Sequence, residues 1–199
     1  SRAMFSQRDP WVNMLRGTTA ALAAGVGGAD AITVLPFDDA LGEPDRFSQR
    51  VARNTQLLLI EESHLAQVVD PAAGSWFVES LTDRLAESAW KVFQDIEADG
   101  GIEQALAGGS IASALDAAWQ QRLRSLGTRR TPITGVSEFP DLDEAPVERP
   151  KRDDPSGFPV RRLAAPFEAL RDAADRSLAA TGSRPAVHVA ALGDLATHT

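Results

Sequence analysis

Apolar positions recur at helical spacing through most of the chain. Trp11, Leu15 and Leu22 share one face of a predicted helix. Asp9-Pro10 reads as its start, with the aspartate as cap and the proline in the first turn, and Gly25 reads as its stop. A second helix is predicted after Pro44, with Phe47, Val51 and Leu58 aligned and an end near Glu62. The clearest stripe is Leu85, Ala89, Val92, Phe93 and Ile96, which Gly100-Gly101 brings to a stop. Another runs from Ser110 as cap through Ile111, Leu115, Ala118, Trp119 and Leu123 to Gly127, and a last one carries Phe167, Leu170, Ala174 and Leu178. Three short apolar runs break this pattern: 31–35, 67–69 and 187–192. Each is a strand candidate of the fully buried kind.

Short strands followed by crossover helices predict an α/β fold with parallel strands. They are too few for a closed barrel, which needs eight strands and about 250 residues, so the pattern fits either a small open sheet or part of a barrel. Three zones follow. Residues 1–127 alternate helix-like and strand-like segments. Residues 128–162 hold Pro132, Pro140, Pro146, Pro150, Pro155 and Pro159 together with a dense charge run from Glu138 to Asp154. Prolines at that density remove backbone donors and fix φ, so an extended connector is predicted. Residues 163–199 return to a helix and then an apolar strand. A βα unit begins there without being completed, which predicts a fragment of a longer polypeptide.

Composition narrows the function classes. With 20 Lys+Arg against 28 Asp+Glu, the net charge of −8 argues against a nucleic-acid surface, which needs a basic footprint. The absence of cysteine excludes disulfides, thiolate nucleophiles and Cys-ligated metals within these 199 residues. No apolar run reaches the roughly 18–20 residues that span a bilayer. A soluble, cytoplasmic protein is the expectation. The three histidines, His64, His188 and His198, stand in no metal-binding spacing and read as structural or surface residues. Glu61-Glu62 would serve as a general base only if buried; adjacent carboxylates more often mark a solvated helix end. Gly25-Val26-Gly27-Gly28 matches no phosphate-binding motif and reads as a tight turn. Asp70-Pro71-Ala72-Ala73-Gly74-Ser75 leads from a strand toward a helix, which in a barrel lies at the active-site face. None of these residues alone identifies a reaction.

Longer strings carry more. Arg8-Asp9-Pro10-Trp11-Val12-Asn13-Met14-Leu15-Arg16, Ala52-Arg53-Asn54-Thr55-Gln56, Glu61-Glu62-Ser63 and Asp70-Pro71-Ala72-Ala73-Gly74-Ser75-Trp76-Phe77-Val78-Glu79 occur in that order. Gly100-Gly101 and Thr134-Gly135-Val136-Ser137-Glu138-Phe139-Pro140 follow. Together they resemble the methylmalonyl-CoA mutase family over essentially the whole chain. The resemblance implies the C-terminal part of a (β/α)8 TIM barrel at 1–127, an extended linker at 128–162, and the start of a flavodoxin-like domain at 163–199, in this chain a degenerate cobalamin-binding domain. It also implies a chemistry: radical interconversion of (R)-methylmalonyl-CoA and succinyl-CoA, with adenosylcobalamin as the radical source.

The sequence departs from the family pattern at both ends. Catalytic chains of the family carry Gln-Ser-Leu-His-Thr-Asn where this one has Asp30-Ala31-Ile32-Thr33-Val34-Leu35, so Asp30, Thr33 and Leu35 replace the polar Gln, His and Asn. An anionic Asp30 would repel a substrate carboxylate. At the cobalamin motif, Leu195 stands for the Asp and Thr197 for the cobalt-ligating His, with His198 one residue late as a displaced candidate. Trp11 to Arg16 and Glu62-Ser63-His64-Leu65 resemble the family's small (β) subunits, which bind no cobalamin. The implied role is a small, non-catalytic subunit paired as a heterodimer with a large (α) subunit that holds the adenosylcobalamin. Catalytic, cofactor-binding and metal-ligating residues are then expected to be none in this chain. Three alternatives stay open: a subunit of a related acyl-CoA mutase such as one for isobutyryl-CoA, a scaffold that retains the fold, and a competent chain whose site has drifted.

Overall fold

The computed structural model describes residues 1–152, 160–188 and 190. Over them the chain is mostly helical: α1 is Val12–Val26, α2 Arg46–Leu57, α3 Trp76–Ala98, α4 Ile102–Gly108, α5 Ser110–Gly127 and α6 Ala165–Thr181. A wider π-type turn, Leu58–Glu62, extends α2, and single 3-10 turns occupy Arg2–Met4 and Leu65–Gln67.

Local chemistry explains most ends. Asp45 caps α2, its Oδ1 accepting from the Ser48 N–H at 2.8 Å, and Ser75 caps α3 through the Val78 N–H. Gly100 and Gly101, at φ of 97° and 88°, end α3 in a conformation that a side chain would disfavour. Two predicted caps are corrected. Asp9 has φ of 44° rather than the extended backbone of a cap, and Trp11 flanks α1 with no side-chain cap. Ser110 lies inside α5, whose flanking residue is Gly109 in the left-handed region, shared with the end of α4.

The helix faces are the larger correction. In α1 the predicted inward stripe points outward, with Leu15 69% exposed, while Asn13, Gly17 and Ala21 are buried. The reason is steric. A Cβ on Gly25 would lie 2.3 Å from Leu65 Cδ2, and one on Gly17 would just touch Phe5 and Val34. This small-residue face lets the extended segment 31–35 lie directly on the helix. In α3 no residue is buried, and Trp76 is 92% exposed.

The predicted strands form no ladder among the described residues, where the one bridge joins Thr134 to Glu138. Segment 31–35 is extended but meets no second strand, so its backbone groups go without sheet partners. Residues 65–67 take up a 3-10 turn in place of a strand start, and Val69 is exposed. Val187 and His188 are exposed and outside any strand; Val189 and residues 191–192 lie outside the described residues.

Two small cores form. Phe5 and Phe37 are buried, with Phe37 against Trp11 at 4.9 Å and Phe47 at 6.1 Å between ring centres. Leu126, Ile133, Val136 and Ala164 make the second, with Leu163 and Phe167 against them. The proline-rich stretch begins as a tight turn, where the Ser137 Oγ accepts from the Ile133 N–H at 2.9 Å. It then runs back over the start of the chain, and the Glu43 N–H donates to the Pro150 carbonyl at 2.8 Å. Gly42 permits that approach, because a Cβ there would sit 2.1 Å from the Pro150 oxygen. Gly42→Ala is therefore expected to lift the connector and cost about 1–3 kcal/mol, as overpacking does. Urea unfolding of the full-length protein, with protease cleavage within 141–152 as the local readout, checks it.

Candidate functional site

The stretch singled out by the family resemblance, 30–35, lies against α1. Ile32 and Val34 are half-buried toward α1, while Asp30, Ala31 and Thr33 are exposed and Leu35 is half-buried. A hollow of about 210 Å³ between helix and segment is lined by Phe5, Gly17, Ala21, Ile32, Val34 and neighbouring small residues. Ala31 and Thr33 are exposed and also border this hollow. Neither has a titratable side chain, so neither offers a group for general acid–base work.

The remaining candidates do not converge. His64 is exposed in a left-handed turn at φ of 53°, its Nδ1 3.2 Å from Gln67 Nε2, and His188 is exposed. Glu61 and Glu62 are exposed on the π-type turn, which removes the burial that a general base there would need. Gly25 to Gly28 form the end of α1, with Gly28 at φ of 76°. Residues 70–75 form an exposed loop whose Gly74 N–H donates to Glu79 Oε1 at 3.1 Å. Leu195, Thr197 and His198 lie outside the described residues. Among the described residues no group of three His, Cys, Asp or Glu could hold a metal ion. The two described histidines, His64 and His188, are exposed and carry, among the described residues, no carboxylate partner of the kind that orients a metal-binding imidazole.

What the structure does concentrate is charge beneath the connector, which sequence reading missed. Asp38 is fully buried, and its Oδ2 accepts from Arg149 Nε at 2.5 Å while Arg149 Nη2 reaches Asp45 at 2.8 Å. Asp39 accepts from Arg152 at 2.6 Å and faces Arg2 Nε at 3.1 Å. Adjacent buried carboxylates suggest acid–base chemistry, but each of these has its own guanidinium, which seats the connector instead of sharing a proton. The Ser48 N–H, aided by Arg149 and opposed by desolvation, holds the Asp45 carboxyl below the usual range. Beside it, Asn13 is fully buried. Its Oδ1 accepts from Ser6 and Arg16, and its Nδ2 donates to the carbonyls of Ser6 and Phe37. Burial lowers the Arg16 guanidinium, with Asp9 and Glu168 opposing. The alternating charges of 138–154 were the only sequence signal for these clamps.

Comparison with known proteins agrees with the strings in the sequence. The family model described as methylmalonyl-CoA mutase matches residues 1–181. A protein named methylmalonyl-CoA mutase small subunit from Streptomyces virginiae is 55% identical over 201 residues, covering 100% of this chain and 33% of that relative. A probable methylmalonyl-CoA mutase small subunit from Mycobacterium bovis is 54% identical, covering 100% of this chain and 32% of its own length. The small subunit from Propionibacterium freudenreichii subsp. shermanii is 44% identical over 94% of this chain and 30% of that protein. The chain thus spans about a third of the length of the curated relatives it matches. With the model match over nearly all of its residues, the chain belongs to the methylmalonyl-CoA mutase family.

Proposed function

We propose that this chain is part of the small, non-catalytic subunit of an adenosylcobalamin-dependent methylmalonyl-CoA mutase. The holoenzyme interconverts (R)-methylmalonyl-CoA and succinyl-CoA in the cytoplasm, and this subunit pairs with a large subunit that carries the cofactor and the active site. In this reading 1–127 is the C-terminal part of the (β/α)8 barrel, 128–162 the linker, and 163–199 the start of the flavodoxin-like domain. The observation that carries it is the content of segment 30–35. Asp30, Thr33 and Leu35 occupy the positions of a polar substrate-facing set, and the exposed side chains of 31–35 are Ala31 and Thr33. A segment with one side on a helix and the other bare is what a barrel strand beside its own helix supplies. The names of the similar proteins point the same way. In addition, no described helix is long and apolar enough to cross a membrane.

Cobalamin titration of the full-length subunit, followed by absorbance with and without the large subunit, tests the reading. The expected result is no spectral change for the subunit alone, and binding with turnover for the pair. Tight binding to the isolated subunit that is lost in His198→Ala would overturn it and make the chain catalytic.

A further inference from the structure

Three separate parts of the chain meet at Arg8. It lies in the loop before α1, and its Nε and Nη2 donate to Asp172 Oδ1 of α6 at 3.2 and 2.6 Å. Nη2 also reaches Asp175 Oδ2 at 2.5 Å, and Nη1 lies 3.5 Å from Glu144 Oε1 of the connector. Glu144 accepts from the Asp9 N–H as well and pairs with Arg171 of α6 at 3.1 Å. Arg171 donates to the Asp141 carbonyl at 2.6 Å, and Arg184, just beyond α6, meets Asp175 at 2.7 Å.

The large apolar contacts of α6 lie at its first turn. Ala164 and Phe167 join the second core, and the buried Glu168 is held by Arg162 and the Gln7 N–H. Farther along, Leu170 and Leu178 are exposed and Ala174 is half-buried, so beyond the first turn charge carries most of the attachment. Burial works against the Arg8 guanidinium, but Asp172 and Asp175 outweigh it and raise it above its ordinary range. Arg8 in turn holds the Asp175 carboxyl below its own, against desolvation, with Arg184 and Arg171 assisting. The closed arrangement is also incompletely satisfied. Arg171 Nε and Nη1 are buried without an acceptor among the described residues, which reduces the advantage of staying closed.

We propose that Arg8 is a positioning residue, a latch that fixes the direction of α6, and of the segment after it, against the loop before α1 and the connector. The latch holds one fork of donors to two carboxylates one helical turn apart, a geometry that lysine cannot reproduce. It is independent of which reaction the assembled protein performs.

Hydrogen exchange of the full-length protein tests it. Arg8→Ala is expected to speed exchange of the amides at 171–181 at least tenfold, leaving those of α1 and α2 unchanged. Adding Asp172→Asn to Arg8→Ala should give no further increase, because the Asp172 carboxylate acts through its contact with Arg8. Arg8→Lys should restore less than half of the protection. Unchanged exchange in α6, an equal rise in α1, or additive effects of Arg8→Ala and Asp172→Asn would overturn the latch. Should Arg8→Ala fail to fold, the exposed Asp172→Asn alone still decides: local acceleration at 171–181 supports the latch, and none refutes it.

Discussion

Arg149→Ala is expected to destabilise the protein by about 3–5 kcal/mol, the usual consequence of removing one partner of a buried ion pair. Arg149 is the one guanidinium bonded to Asp38, whose side chain is fully buried and whose second oxygen, Oδ1, has no partner among the described residues. Without Arg149 the carboxylate keeps a long contact with the Asp45 N–H, at 3.5 Å, and no cation. The charge itself is the problem, so the double variant Asp38→Asn/Arg149→Ala should lose much less than the single one. Arg149→Lys should fall between, since an ammonium cannot bridge Asp38 and Asp45 as the fork does. Denaturant unfolding of the full-length protein measures all three. A single-variant loss under about 1 kcal/mol would mean that water reaches Asp38 and that the connector is not clamped there.

Asn13→Ala ranks second. The amide satisfies the Ser6 N–H and carbonyl and the Phe37 carbonyl, all in a region without solvent. Each stranded buried group costs about 1–3 kcal/mol, so a loss of about 3 kcal/mol is expected even if one group finds a substitute. Asn13→Asp provides the sharper test. It keeps the acceptor that serves Ser6 and Arg16 but loses both donors, and it sets a carboxylate oxygen against two carbonyls. It should be at least as damaging as alanine despite its near-identical shape. Thermal unfolding separates the outcomes, and a neutral Asn13→Asp would sink the hydrogen-bond account.

Helix ends were legible because they are local. Asp45 follows Pro44 just before the apolar run of α2, and Gly100-Gly101 closes α3 where the stripe ends. The buried face of α1 was not legible. Reading a stripe assumes that large apolar residues turn inward, whereas here Gly17 and Ala21 admit segment 31–35 and Asn13 ties Phe37, two residues farther on, to Ser6. Leu15 and Leu22 are left outside. The strand candidates 31–35 and 67–69 stand outside any ladder of the described residues for a related reason. An apolar run specifies extended backbone and burial, but a ladder needs a neighbour, and 31–35 has none among the described residues. Prolines marked 128–162 as non-helical, yet nothing local could pair Arg149 with Asp38 or Arg152 with Asp39, which lie 111 and 113 residues apart. The candidate site was legible only as a departure from a family string, since Asp30, Thr33 and Leu35 form no catalytic motif of their own.

That separation also governs the order of events during synthesis. Asp38 and Asp39 leave the ribosome 111 and 113 residues before the arginines that neutralise them. At roughly 5–20 residues per second the delay is about 6–22 s, far longer than a helix or a small core takes to form. Until Arg149 emerges Asp38 has no guanidinium to be buried against, and Asp39 has Arg2 alone, so closing this part of the nascent N-terminal region is disfavoured. The closing strap thus acts as a timer, committing the first third of the chain to its packed state only after most of the described sequence has been made.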